Sequence, residues 1–380
     1  MLNQSYDVAV VGAGPAGTTL AREVALQGCK VIVLEKERLP RYKTCGGGVT
    51  VRAARLLDFD ISPVVERVID SGRFSFKMGK QVDRRYPEPI CFMVMRDRFD
   101  LLLVEKAREA GVCVVDGMRV AGVETSDDGC TIRLPDGSLH ARIVVGADGA
   151  NSIVARSLDL MRDAAADIAL EAEVAVGPET LREWHSRIGV DLGVVAGGYG
   201  WVFPKEEHLS IGVGGAKDLA LSLRTYYDQY LASLDLGPYE VERFRGHHIP
   251  IRKNKSPITK GPALLLGDAA GLADPLSREG IYHAIRSAQL AAPVVVQTLR
   301  SGAVDLSAYQ RAVDEQMMPD LLAAATLLKV LAWTPDICFQ VIQRFQRPWN
   351  AACMMFRGEM DWVRVIAKAG PFRRLLRALA

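Results

Sequence analysis

Residues 12–17, Gly12-Ala13-Gly14-Pro15-Ala16-Gly17, constrain this chain more than any other segment. They follow Val8-Ala9-Val10-Val11, a short apolar run that reads as a buried strand. A helical pattern over 18–27 comes next and stops at Gly28. A second apolar run, 30–34, ends at Glu35, an acid about 20 residues beyond the glycines. Strand, glycine turn, helix, strand and acid together make the pattern of a dinucleotide-binding βαβ unit. Gly12 permits the tight turn, Gly14 lets the backbone approach a pyrophosphate, and Gly17 lets helix and strand pack closely. Around Pro15 and Ala16 the helix start offers unpaired N–H groups to the phosphates. Glu35, followed by Lys36, is placed to accept from the adenosine ribose hydroxyls.

The fingerprint alone does not separate FAD from NAD, but two later segments do. Ile143-Val144-Val145-Gly146 runs into Ala147-Asp148-Gly149 and a helix start, and Leu264-Leu265-Leu266 runs into Gly267-Asp268-Ala269-Ala270-Gly271. The second continues through Asp274-Pro275-Leu276-Ser277-Arg278-Glu279-Gly280-Ile281 into another helix. Each puts small residues and a carboxylate where a strand ends at the crevice, the ligand edge of an open α/β sheet. A carboxylate there can accept from the ribityl hydroxyls of a flavin, a chain that NAD lacks. Either turn alone also fits an Asx-type turn. In order, after a dinucleotide fingerprint, the three resemble the flavoprotein fold of aromatic hydroxylases, so FAD is the cofactor expected. By that resemblance Asp268 lies near the ribityl chain, and Asp148 lies near the pyrophosphate or one shell behind it. Arg96, opening a helix in Arg96-Asp97-Arg98-Phe99-Asp100, matches an arginine that contacts FAD; a surface helix-start arginine is the alternative.

Separated flavin segments imply a discontinuous FAD-binding domain: 1–75, 94–165 and 255–300. The fold class expected is α/β plus β, a Rossmann-type domain with a mixed-sheet substrate domain (76–93 and 166–254) and a helical region, 301–380. Strand-like stretches at 72–76, 168–176, 201–203 and 209–213 are assigned to the substrate domain. Gly212-Val213-Gly214-Gly215 lacks a following βαβ unit and is read as a bend. No separate NADPH domain is visible, so the electron donor, NADPH or a reduced carrier, stays open.

A net charge of +2 provides no field to draw nucleic acid. The seven cysteines are scattered, with no C-x-x-C pair, which speaks against zinc or iron–sulfur ligation. Without a basic leader or an apolar run of about 18–20 residues, the protein is expected in the cytoplasm, without crossing a membrane.

Pro40-Arg41-Tyr42-Lys43-Thr44-Cys45-Gly46-Gly47-Gly48 follows soon after Glu35, and three consecutive glycines suggest close approach to a neighbour. Tyr199-Gly200-Trp201-Val202-Phe203-Pro204 puts aromatics on one side of a strand, as pocket wall or as sheet core. With Gly-Asp-Ala-Ala-Gly leading to Glu-Gly-Ile-Tyr, these segments resemble the geranylgeranyl reductase family over roughly the first 300 residues. The resemblance implies saturation, by reduced FAD, of double bonds in a long isoprenoid chain on a lipid, quinone or pigment. It places Cys45, Gly46, Gly47 and Gly48 by the isoalloxazine, and Tyr199, Trp201, Phe203 and Pro204 around the chain. Ala196 stands where archaeal members often carry proline, and Arg278 where glycine is common; these departures bear on the substrate more than on the flavin.

An isolated alkene accepts hydride poorly, so a proton must reach its other carbon, and aromatic faces must steady the cation-like transition state. Tyr199 and Trp201 suit that role. Cys45 is expected to shape the site or relay a proton, since a thiol of reference pKa ~8.5 is a weak acid for this task. A flavin monooxygenase or halogenase, and a non-redox flavin-bound lipid carrier or cyclase, are the competing readings. The six histidines are read as structural. The end of the chain, from Pro371 to Ala380, resembles a basic amphipathic helix. It is read either as a contact to the inner face of the membrane or as a helical cover on the flavin domain. Oligomeric state is not readable.

Overall fold

The computed structural model describes residues 5–162, 164–253, 256–302 and 304–368. The basic amphipathic end at 371–380 lies outside them. Among the described residues the strands form three sheets, of eight, seven and three strands.

The eight-stranded sheet carries the dinucleotide pattern. Its central strand, Tyr6–Val11, pairs in parallel with Val31–Leu34 on one side and Gly137–Gly146 on the other. Ala263–Leu265 then pairs in parallel with Gly137–Gly146, and Cys113–Val115 with Val31–Leu34. Val8, Val10, Val33, Val144 and Leu264 are almost fully buried, as expected of parallel strands covered on both faces. The registers Val11↔Leu34, Val11↔Gly146 and Gly146↔Leu265 bring three strand ends to one edge. The turns after Val11, Gly146 and Leu265 therefore converge, although more than 100 residues separate each from the next along the chain.

The seven-stranded sheet runs in the order Tyr239–Ile251, Ala165–Val176, His208–Ala216, Tyr199–Pro204, Arg187–Leu192, Ser71–Phe76, Gln81–Arg85. All its pairings are antiparallel except Arg187–Leu192 with Ser71–Phe76. The strand read at 72–76 for the substrate domain lies in this sheet, so the first flavin segment, bounded above at 75, overruns it by a few residues. That parallel pairing joins residues over 100 apart, so no local pattern announces it. Ala172, Val174, Leu209, Ile211 and Val213 meet Leu223, Tyr226, Tyr227 and Tyr230 in one apolar cluster, which packs the Ala220–Ser233 helix against this sheet. Residues 212–215 form regular strand within His208–Ala216 and are not a bend.

Helices Ser307–Gln316 and Met318–Trp333 extend the flavin-domain core, where Tyr309, Val313 and Leu321 are buried. Tyr309 donates to the Leu265 carbonyl at 2.9 Å. No single helix among the described residues is long and apolar enough to cross a bilayer. Met318–Trp333 and Pro335–Arg344 reach that length and composition only together, with a 100° bend between them.

Candidate active site

A cavity of about 1200 Å³ runs along the converging strand ends and continues under the seven-stranded sheet. It exceeds the roughly 300–1,000 Å³ of ordinary small-molecule pockets, leaving room for a dinucleotide and a second molecule.

At the dinucleotide end the Pro15–Ala25 helix starts from Gly14, with no side-chain cap and no acid in its first turn, so its amides face the cavity. Gly12 has φ +104°, and a Cβ there would strike the Ala147 backbone. Glu35 is buried at the end of its strand and accepts from Ala13 N at 2.9 Å and Glu37 N at 3.1 Å. Its carboxylate orders the glycine turn while Lys36 lines the cavity beside it. Asp148 also serves its own turn. It accepts from Ile153 N at 2.6 Å and from Ser152 Oγ, and burial raises its pKa.

Asp268 lines the cavity where the Ile281–Ser301 helix begins. That helix start has Gly280 at its N-cap, no side-chain cap and no acid in its first turn. It is a second open set of amides, suited to an electron-rich ring edge. Thr50 and Arg52 grip Glu279 just upstream, and Arg52 lies over the Tyr282 ring at 4.1 Å. Asp274 accepts from Leu276 N, Ser277 N and, at 2.8 Å, Trp362 Nε1. The C-terminal helices thereby pin the turn that leads into Gly280 and Ile281.

Arg96 is held to Asp100 through two hydrogen bonds of 2.8 and 2.9 Å. Asp100 is fully buried and also takes Arg41 Nη1 at 2.9 Å, and Arg41 reaches Glu35 at 3.4 Å. Two guanidinium groups thus line the cavity over the glycine turn, a donor set matched to a pyrophosphate. Arg41 and Asp100 were not singled out from sequence. The i, i+4 spacing of Arg96 and Asp100 on a helix was the available signal.

At the other end Tyr199, Trp201 and Phe203 project from one face of their strand, with successive ring centroids 6.1 and 6.2 Å apart. All three line the cavity; Pro204 does not, since strand alternation turns it to the opposite face against Leu209. Gly17 and Gly267 also lie outside the wall. Gly17 packs on Gly12, and Gly267 takes a left-handed φ of +51° beneath Ala16 and Ala284. The remaining residues named from sequence reach the cavity together.

The Trp201 indole lies across Gly212, where a Cβ would overlap its ring. Gly46 approaches Phe203 in the same way, which is the close approach the glycine run implies. Gly212→Val is expected to cost about 1–3 kcal/mol by overpacking. An unchanged urea midpoint and indole fluorescence would contradict this niche.

Four further side chains were missed. Lys205 is buried and donates to Gly46 O at 2.7 Å and Val94 O at 3.0 Å, clamping the glycine run; burial lowers its pKa. Lys43, whose pKa burial also lowers, places Nζ 2.7 Å from His247 Nε2. His247 is pushed down to about 3 by burial and then by Lys43, so it stays neutral and accepts. It lines the cavity beside Lys43, a position with no sign in the sequence. Glu171 accepts from Cys45 N at 3.2 Å, and burial pushes its carboxyl up to about 7. The signal for Glu171 was an acid, one of three with Asp167 and Glu173, among the Ala, Val, Ile and Leu of its strand.

Residues 5–312 match the FAD binding domain family model. The chain is 33% identical over 311 residues to the geranylgeranyl diphosphate reductase of Rhodobacter capsulatus, covering 78% of this chain and 76% of that protein. It is 30% identical to digeranylgeranylglycerophospholipid reductase 1 of Methanopyrus kandleri, covering 90% and 93%. Among solved structures, a geranylgeranyl bacteriochlorophyll reductase-like protein of Thermoplasma acidophilum superimposes with a TM-score of 0.85 at 24% identity, covering 99% and 100%. The flavin-dependent brominase Bmp2 follows at 0.76 and 20%, covering 99% of each chain. At those identities the two structures show a shared fold and nothing finer.

Proposed function

We propose that this chain, which belongs to the geranylgeranyl reductase family of FAD-dependent oxidoreductases, saturates C=C double bonds of a long isoprenoid chain carried on a lipid, quinone or pigment. The observation that carries the reading is the aromatic wall of Tyr199, Trp201 and Phe203, set against the Cys45–Gly48 segment in one cavity with the dinucleotide turns. Reduced FAD, when bound, supplies the hydride. The open helix starts at Gly14 and Gly280, with Arg41 and Arg96, would hold the cofactor. Lys205 fixes Gly46, so that a bound flavin would meet backbone there without a side chain between them. The three aromatic faces exclude water and steady positive charge developing on the alkene. Tyr199 is fixed by donation to the Ser277 carbonyl, with Arg278 4.9 Å over its ring.

Anaerobic reduction of the flavin-loaded protein, then single-turnover mixing with geranylgeranyl lipids, tests this. Flavin reoxidation should track products heavier by pairs of hydrogens in the mass spectrum. A flavin that stays reduced until oxygen is admitted sinks the reductase reading in favour of a monooxygenase or halogenase.

The substrate's location suggests a membrane contact. Phe339 of the Pro335–Arg344 helix stacks on Phe76 in the second sheet. The helix presents Ile337 and Val341, four residues apart, to solvent, and Trp333 and Phe345 at its two flanks are also exposed, beside the exposed Arg344 and Arg347. An apolar stripe with basic flanks suits the interface of an anionic bilayer. Wild-type protein should pellet with phosphatidylglycerol vesicles, and Ile337→Glu with Phe345→Glu should leave it in the supernatant. Equal pelleting of both would refute the contact.

A further inference from the structure

Isoprenoid reduction needs a proton as well as a hydride, and the reading above leaves its source unassigned. Glu171 is the buried acid of the large cavity that borders the Cys45 segment. Along the Ala165–Val176 strand, Ala172 and Val174 enter the core, while Ala169, Glu171 and Glu173 turn to the opposite face. Ala169 and Glu171 line the large cavity, and Glu171 is only 4% exposed. Its Oε1 receives the Cys45 amide, which holds the carboxyl against the Cys45–Gly48 segment of the cavity wall.

Glu171 also lines a second, small cavity of about 10 Å³, with Glu173, Lys205, His208 and Ser210. That volume is the size that admits one water, provided polar partners surround it. Such partners are present. His208 Nε2 and Ser210 Oγ are buried there without a protein hydrogen bond, a costly arrangement unless something fills the space. Glu173 faces Arg243, whose side chain is half exposed, so the small cavity opens toward solvent through charged groups.

We infer that Glu171 is the proton donor to the alkene, and that the small polar cavity returns a proton to it from solvent. This rests on the reductase reading. In the step, one carbon of the double bond takes a hydride from reduced flavin and the other takes the proton of the Glu171 carboxylic acid. The π bond is replaced by two C–H bonds, the flavin is left oxidised, and Glu171 is left as carboxylate. Water then reprotonates Glu171 from the Ser210 side. Burial and Glu173 oppose the ionised form of this carboxyl, whereas Lys205, the Cys45 amide and Lys43 favour it, and Arg96 lines the same small cavity. Tyr42, Tyr227, His208 and Asp97 are further titratable neighbours, and Arg245 is its register partner on the adjoining strand. Burial dominates and holds the group near neutrality, the range in which a general acid works best.

The test uses flavin-loaded protein reduced with dithionite and mixed anaerobically with geranylgeranyl diphosphate or a digeranylgeranyl phospholipid. Glu171→Gln keeps the acceptor for Cys45 N–H but has no proton to give. Its reoxidation by the isoprenoid should slow by about 10²–10⁴-fold, with reoxidation by oxygen unchanged. The wild-type rate should fall as pH rises through about 7, because only the protonated carboxyl donates, and the variant should be flat there. Independently of turnover, infrared difference spectra below that pH should show a protonated-carboxyl band that Glu171→Gln removes. Wild-type reoxidation in the variant, or a band that persists, overturns the inference. If Glu171→Gln does not hold FAD, Ser210→Val decides. By filling the small cavity it should slow steady-state turnover more than single turnover, and equal effects on both overturn the relay. A wild-type protein that no isoprenoid reoxidises defeats the reductase reading, whereas the infrared band still reports on Glu171.

Discussion

Gly17→Val should yield colourless protein, with FAD affinity weakened by more than about 100-fold, or about 2.7 kcal/mol. A Cβ at Gly17 would overlap the Gly12 carbonyl oxygen and meet Ala147 Cβ and Val10 Cγ1 at 3.1 Å. The first obstacle is backbone of the phosphate turn, which cannot rotate away as a side chain can. To relieve the overlap, the helix must move off its strand, carrying the open amides at Gly14 away from the pyrophosphate. Gly14→Ala provides the contrast, since its Cβ would meet nothing nearer than Arg41 Nη2 at 3.8 Å. It should leave the urea midpoint of the flavin-free protein intact and weaken FAD binding alone, because Gly14 lines the cavity. Gly17→Val should lower both. Stoichiometric FAD at wild-type affinity in Gly17→Val would contradict the packing described here.

The contrast also shows which parts of the site a sequence can disclose. Gly12, Gly14, Gly17 and Glu35 form a local pattern, because one βαβ unit supplies the turn, the helix start and the acid. Asp148 and Asp268 were readable for the same reason, each ending its own strand. Their convergence was not local: it depends on Val11 pairing with Gly146, and Gly146 with Leu265, which only the assembled sheet determines.

Glu171, Lys205 and His247 were harder still. Each touches the loop at 43–46 from the second sheet, across 126 or more residues of chain. Their cost of burial is offset by partners that no spacing rule links. The same limit hides the parallel pairing of Ser71–Phe76, a strand legible at 72–76, with Arg187–Leu192. For Glu171 the visible sign was an acid flanked by small and apolar residues. Glu171 among Ala169, Leu170, Ala172 and Val174 is too expensive to bury without a purpose or a partner.

Asp100→Ala should destabilise the flavin-free protein by about 3–5 kcal/mol, the usual loss when one partner of a buried charge set is removed. The Asp100 carboxylate is fully buried and receives Arg96 twice and Arg41 once. Without it, two guanidinium groups face each other in a poorly solvated cleft, and only Arg41 retains an acid, Glu35 at 3.4 Å. Asp100→Asn should lose less, since the amide oxygen still accepts one bond, yet it cannot balance two cations. Bound FAD brings its own negative charge to this wall, so the flavin should recover more stability in the alanine variant than in wild type. Urea unfolding with and without FAD measures that difference, and Arg96→Met on the Asp100→Ala background should restore part of the loss by removing one stranded charge. An Asp100→Ala protein as stable as wild type, or a second substitution that only adds to the damage, would show that Asp100 does not hold this pair of arginines in place.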